Sequence, residues 1–145
     1  MTPAEKMRAA TALFDACEAG KGWAGCAQYC IPDATFSCQA VDKMPGQPPI
    51  TQCKTLEAYI QWMRGVVEVL GEDKATVEVN AAGFDEGRSV AIFFATFGGF
   101  SHYVYKMHIN EDGKCDDMVK VWNDAFAANV VSGAQSAEAT TTATT

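Results

Sequence analysis

The chain has 145 residues, 48% of them hydrophobic and 20% charged, and a formal net charge of −7. This length and composition fit one domain with a sizeable core and exclude a disordered or collagen-like chain. A uniformly acidic domain repels phosphate backbones, which argues against nucleic acid as a partner. No apolar run approaches the roughly 20 residues that span a bilayer, which argues against a membrane partner. The segment Met1 to Ala10 has no apolar signal core, which predicts a cytoplasmic protein.

Thr2-Pro3-Ala4-Glu5 reads as a helix start, with Thr2 as cap, Pro3 in the first turn and Glu5 at the positive end of the dipole. Met7, Ala10, Leu13, Phe14 and Cys17 then recur at helical spacing, and Gly20 and Gly22 end the helix. A second short helix is predicted over about Trp23 to Tyr29, closed by Pro32. Ala34 to Cys38 reads as a short strand. Pro45, Gly46, Pro48 and Pro49 make Val41 to Thr51 a loop. Thr55 opens a third helix, whose apolar stripe is Leu56, Tyr59, Ile60, Met63, Val66, Val67 and Leu70, and Gly71 stops it.

After Gly71 the period changes to two. Ala75–Ala82, Ser89–Phe97, His102–Ile109 and Met118–Asn123 read as four strands of an antiparallel meander, separated by glycine-bearing turns. Residues 133–145 are almost all Ala, Thr and Ser and read as a disordered tail after a single domain over 1–132. Helices followed by strands predict an α+β fold. One sheet face packs on the helices. The other still shows aromatic residues such as Phe93, Phe94, Phe97 and Phe100, which predicts burial against a second subunit.

Six cysteines invite a metal or disulfide reading. They form no C-x-x-C pair, and His102 and His108 lie far from most of them in sequence, so no metal is expected. Without an export signal they are predicted to be reduced, most of them acting as small buried hydrophobes.

The order helix, short helix, short strand, helix and four-strand meander resembles the nuclear-transport-factor-2-like superfamily. Within it the chain is similar to the SnoaL-like polyketide cyclase and ketosteroid isomerase branch. The resemblance runs over about residues 4 to 130. It is carried by Phe14 to Trp23, Pro32 to Ala40, Tyr59 to Met63, His102 to Tyr105 and Val119 to Asp124. It implies three helices packed on a strongly curved antiparallel sheet, a cone-shaped pocket and a homodimer. It also implies that Cys38 occupies the position of the isomerases' base and that Tyr105 lies near their oxyanion-binding position. Leu13 or Phe14 stands where their helix-one tyrosine would be, without a hydroxyl. Two of three groups are therefore missing, and a ketosteroid isomerase mechanism is not supported.

The same comparison points Tyr103, Tyr105 and Met107 into the cone from one strand and Met118, Lys120 and Trp122 from the next. A slip of one residue would present His102, Lys106 and His108 instead. Lys120, between Val119, Val121 and Trp122, is an anchor for an anionic ligand or a usable base; the plainer alternative is a lysine that snorkels or pairs with Asp124. Tyr105 is a donor to a developing enolate or an aromatic core residue, and Asp124 is a base or a helix cap. Tyr103, Trp122, Trp23 and Cys38 are candidate lining for the ligand. Trp62 reads as packing.

No nucleophile elbow, phosphate loop or metal cluster is present in the sequence, so any reaction would need no cofactor. The reading is a small-molecule-binding protein of the SnoaL-like type, catalysing isomerisation, cyclisation or dehydration by proton transfer on a small apolar ligand. The alternative is a non-catalytic binding or dimerisation module. Two or more titratable groups converging in one cavity would favour the enzyme.

Overall fold

A computed structural model describes residues 1–38, 47–99 and 101–122. Its helices are α1 (Pro3–Glu18), α2 (Gly22–Cys26) and α3 (Leu56–Leu70). Its strands are β1 (Cys30–Cys38), β2 (Val77–Asp85), β3 (Val90–Phe97), β4 (Ser101–Ile109) and β5 (Cys115–Trp122). Single 3-10 turns cover Ala27–Tyr29 and Ile50–Gln52. The expected tail, Asp124, Phe100 and most of the proline loop lie outside the described residues.

Local chemistry sets the helix ends. Thr2 accepts the Glu5 amide at 3.1 Å and Thr55 accepts the Ala58 amide at 3.1 Å, each satisfying one orphan donor of a first turn. Gly71, at φ 82°, ends α3. Pro32 does not close α2, which already stops at Cys26. It lies inside β1, near a register shift between Cys30 and Thr35, on the edge strand of the sheet. An edge strand tolerates the missing N–H.

The sheet runs β1-β5-β4-β3-β2. Strands β2 to β5 form the expected antiparallel meander, but β1 joins β5 in parallel, so the sheet is mixed rather than wholly antiparallel. The fold class is α+β, with three helices on the concave face of a curved sheet. Ala10, Leu13, Phe14 and Cys17 of α1 and Leu56, Tyr59, Ile60 and Met63 of α3 meet Phe36, Phe93, Tyr105, Met107 and Met118 in one core.

The strand register resolves the choice left open by the sequence. Tyr103, Tyr105, Met107, Met118 and Lys120 are buried, and His102 and Lys106 are exposed. The convex face carries fewer aromatics than expected. Phe93 faces inward and stacks on Phe14 at 4.6 Å, and Phe97 lies edge-on to Tyr103 at 6.0 Å. Phe94 remains half exposed on the convex face, in register with Ala81, Val104 and Val121 across four strands.

Candidate functional site

The concave face holds a buried chain of polar groups. Lys120 enters from β5 and is only 3% exposed. Its ammonium donates to the Tyr59 hydroxyl at 3.2 Å, and that hydroxyl donates to Glu18 Oε1 at 2.7 Å. The groups come from β5, α3 and α1, so the constellation exists only in the assembled fold. Glu18 is also 3% exposed, and its second oxygen, Oε2, is buried with no hydrogen-bond partner among the described residues.

Aromatic rings surround the ammonium. Lys120 Nζ lies 4.5 Å from the centroid of Tyr103, 5.0 Å from Tyr59, 5.3 Å from Tyr105 and 5.7 Å from Trp62. Ring faces attract a cation electrostatically, more strongly when water is excluded. The lysine therefore neither snorkels nor floats unpartnered in a dry core. Tyr59 is itself sandwiched, stacked on Phe36 at 4.2 Å and near Trp62 at 6.2 Å.

Burial, reinforced by the negative charge of Glu18, pushes the Tyr59 and Tyr105 phenols well above the ordinary tyrosine value. Both stay protonated at neutral pH and act as hydrogen-bond donors, not bases. The thiols respond similarly. Burial is the main cause that raises Cys26 to about 11 and Cys30 to about 12. Burial also raises Cys17 and Cys115. Thiols held protonated are weak nucleophiles.

Beside this chain, between α1 and the start of β2, is a cavity of about 230 Å³. Phe14, Asp15, Glu18, Ala75, Val77 and Val79 form most of its wall. Val77 and Val79 lie in register with the inward-facing Phe97 and Ala95, and Val79 is 43% exposed. The side chains named in this wall are apolar except for Asp15 and Glu18, one helical turn apart.

The structure thus brings together Lys120, Tyr105 and Tyr103. Cys38 is buried and lies opposite Lys120 in the β1–β5 register. Trp23 is half-buried at the α2–α3 junction, its backbone N–H donating to Gln61 Oε1 at 2.9 Å, and among the described residues no ring contact links it to the cage. Trp122 pairs with Tyr103 along the backbone. Glu18 and Tyr59 are the members that sequence reasoning passed over, and Trp62 is cage wall as well as packing. The signal for Glu18 was available: it is four residues from Phe14 and adjacent to Cys17, on the buried arc of α1.

No protein-family model matches the sequence, and no curated protein does. Solved structures do match its shape. A SnoaL-like protein of unknown function from Burkholderia thailandensis E264 aligns over 83% of this chain and 96% of its own, with 12% identity and a TM-score of 0.61. This is the nuclear-transport-factor-2-like fold. An NTF2-like protein of unknown function from Burkholderia xenovorans LB400 shares it at 16% identity, over 84% of this chain and 86% of that one, with a TM-score of 0.53. So does SalBIII, described as an epoxide hydrolase/cyclase-like enzyme in pyran-ring formation in the polyether salinomycin. It aligns at 13% identity over 85% of this chain and 94% of its own, with a TM-score of 0.55. NTF2-like scaffolds host several chemistries, so the site must carry the functional argument.

Proposed function

We propose that this NTF2-like protein binds a small, largely apolar molecule and moves a proton on it without a cofactor, in the manner of the SnoaL-like cyclases and isomerases. The observation that carries the reading is the Glu18–Tyr59–Lys120 chain. One carboxylate oxygen is fixed by a phenol that a buried ammonium holds in turn, and Glu18 forms part of the wall of a cavity. A carboxylate so held is a positioned general base. Tyr105, kept protonated by burial and by the negative charge of Glu18, lies against the same carboxylate and helps to hold it. Lys120 supplies the positive charge that steadies the carboxylate through Tyr59. Cys38, in the position of the isomerases' base, is buried lining and not the base. Tyr103 serves as cage wall. SalBIII, a cyclase-like enzyme on the same scaffold, makes this class of chemistry a reasonable expectation.

The test uses a generic carbon acid. Cyclohexanone in deuterated buffer exchanges its α-protons slowly, and proton NMR follows the loss. The wild-type protein is expected to accelerate exchange catalytically. Glu18→Gln should remove at least about a hundredfold of that rate, in the range expected for a lost general base, and Tyr105→Phe should remove less. Wild-type exchange no faster than in buffer with an equal concentration of acetate would overturn the reading.

A further inference from the structure

We infer that the chain's own residues 124–131, which follow β5, dock on the groove between α1 and β2, with Phe126 seated on its apolar rim at Val79. This contact holds whether or not Glu18 moves a proton, because it involves the rim and not the buried carboxylate.

The rim is apolar and open. On β2, Val77, Val79, Ala82 and Phe84 pair with Phe97, Ala95, Phe93 and Ala91, and so share the concave face with them. Ala95, Phe93 and Ala91 are buried, yet Val79 is 43% exposed and Ala82 is exposed. Among the large apolar side chains exposed on the described strands, Val79 alone faces the concave side, since Phe94 and Val121 face the convex one. Phe14 and Glu18, on the opposing wall, are buried, whereas Asp15 is exposed at the rim.

The chain leaves the described fold within reach of this rim. Trp122, Tyr103, Ala95 and Val79 form one row across β5, β4, β3 and β2. Three strand spacings of about 4.8 Å place Val79 about 14 Å from Trp122 along the sheet. About four residues span that distance when extended, and about nine when helical. Residues 123–131 therefore reach the groove in either form. Beyond Trp122 the large apolar residues are Phe126, Val130 and Val131, all within the first nine positions, and residues 132–145 contain none. Burial of apolar surface drives such a contact, and so short a connection costs little to close. The groove has a helix wall and a strand wall, so it covers an inserted ring on more than one side. The convex row of Ala81, Phe94, Val104 and Val121 is a single sheet face and removes less of the same ring from water. Seated on Val79, Phe126 shields the inner space beside Phe14 and Glu18 and leaves that space to a ligand.

The experiment is disulfide capture in the full-length chain. Val79→Cys/Ala127→Cys keeps Phe126, and oxidised glutathione supplies the oxidant. Peptide mass spectrometry follows the link between positions 79 and 127. The six native thiols are buried and compete little. Adding Phe126→Asp leaves the tether length unchanged and should slow the link about tenfold or more, as a docked segment reverts to a tethered one. Phe126→Asp alone should lower the melting temperature by about 3 °C or more. A 79–127 link whose rate ignores Phe126→Asp, or an unchanged melting temperature, would overturn the docking. A faster link in Phe94→Cys/Ala127→Cys would overturn it by placing the segment on the convex face. A 79–127 link formed only between two chains would also overturn it, by giving the groove to a second copy.

Discussion

Tyr59 is the hinge of the polar chain, because its single hydroxyl joins a buried ammonium to a buried carboxylate. Tyr59→Phe keeps the stacked ring and deletes that link. Both charged groups then lose a partner in a dry core, and the expected cost is about 2–4 kcal/mol, read as a fall in the urea midpoint. Lys120→Met should cost about the same, because it leaves Glu18 without its cation. The double variant Glu18→Gln/Lys120→Met should be more stable than the two single costs added together, by about 1 kcal/mol or more. Strict additivity would mean that the chain is not coupled. Alkaline titration tests the same surroundings. Cys26 and Cys30 titrate at about 11 and 12 in the fold against 9.0 ordinarily, so the unfolded chain releases these protons first. Their stabilisation is complete below pH 9 and is lost as pH rises from there through 11 to 12. Tyr59 and Tyr105 act in the same direction above pH 10. The melting temperature should therefore fall steadily from about pH 9, and a flat profile to pH 11 would contradict it.

At the scale of elements, the turn from α1 to α2 depends on Gly20. Its φ is +75°, and a β-carbon there would lie 2.8 Å from the Val67 side chain of α3. Gly71 has a similar φ of +82° but open space around it. Gly71→Ala should thus cost about 1 kcal/mol for backbone strain alone, and Gly20→Ala clearly more, by chemical denaturation. Alternation in β4 and β5 reduced the inward set to two choices, because one buried face fixes a period of two; the family resemblance favoured Tyr103, Tyr105, Met107, Met118 and Lys120 over His102, Lys106 and His108. The parallel pairing of β1 with β5 was not legible. It joins segments about eighty residues apart, and nothing in either segment encodes the partner. Glu18 was hidden for another reason. A search for apolar periodicity skips a carboxylate even when it sits on the buried arc, and its partners Tyr59 and Lys120 come from elements distant in sequence.

Among the described residues, helices cover one face of the sheet and no element covers the other. The row Ala81, Phe94, Val104 and Val121 crosses four strands on that convex face, with Phe94 and Val121 half exposed. We propose that a second copy covers it, in a homodimer. Light scattering at micromolar concentration should give twice the mass of one chain, and Phe94→Glu should return the protein to monomers; a monomeric wild type would refute the dimer. The convex face and the cavity lie on opposite sides of the sheet, so the dimer leaves the ligand site open to solvent. The central claim is that a ligand enters between α1 and β2 and meets Glu18. It is tested most directly by a crystal structure of the protein soaked with a set of small neutral and basic fragments. The account predicts a fragment in the cavity walled by Phe14, Glu18, Val77 and Val79, in contact with Glu18. Fragments bound elsewhere while that cavity stays empty would contradict it.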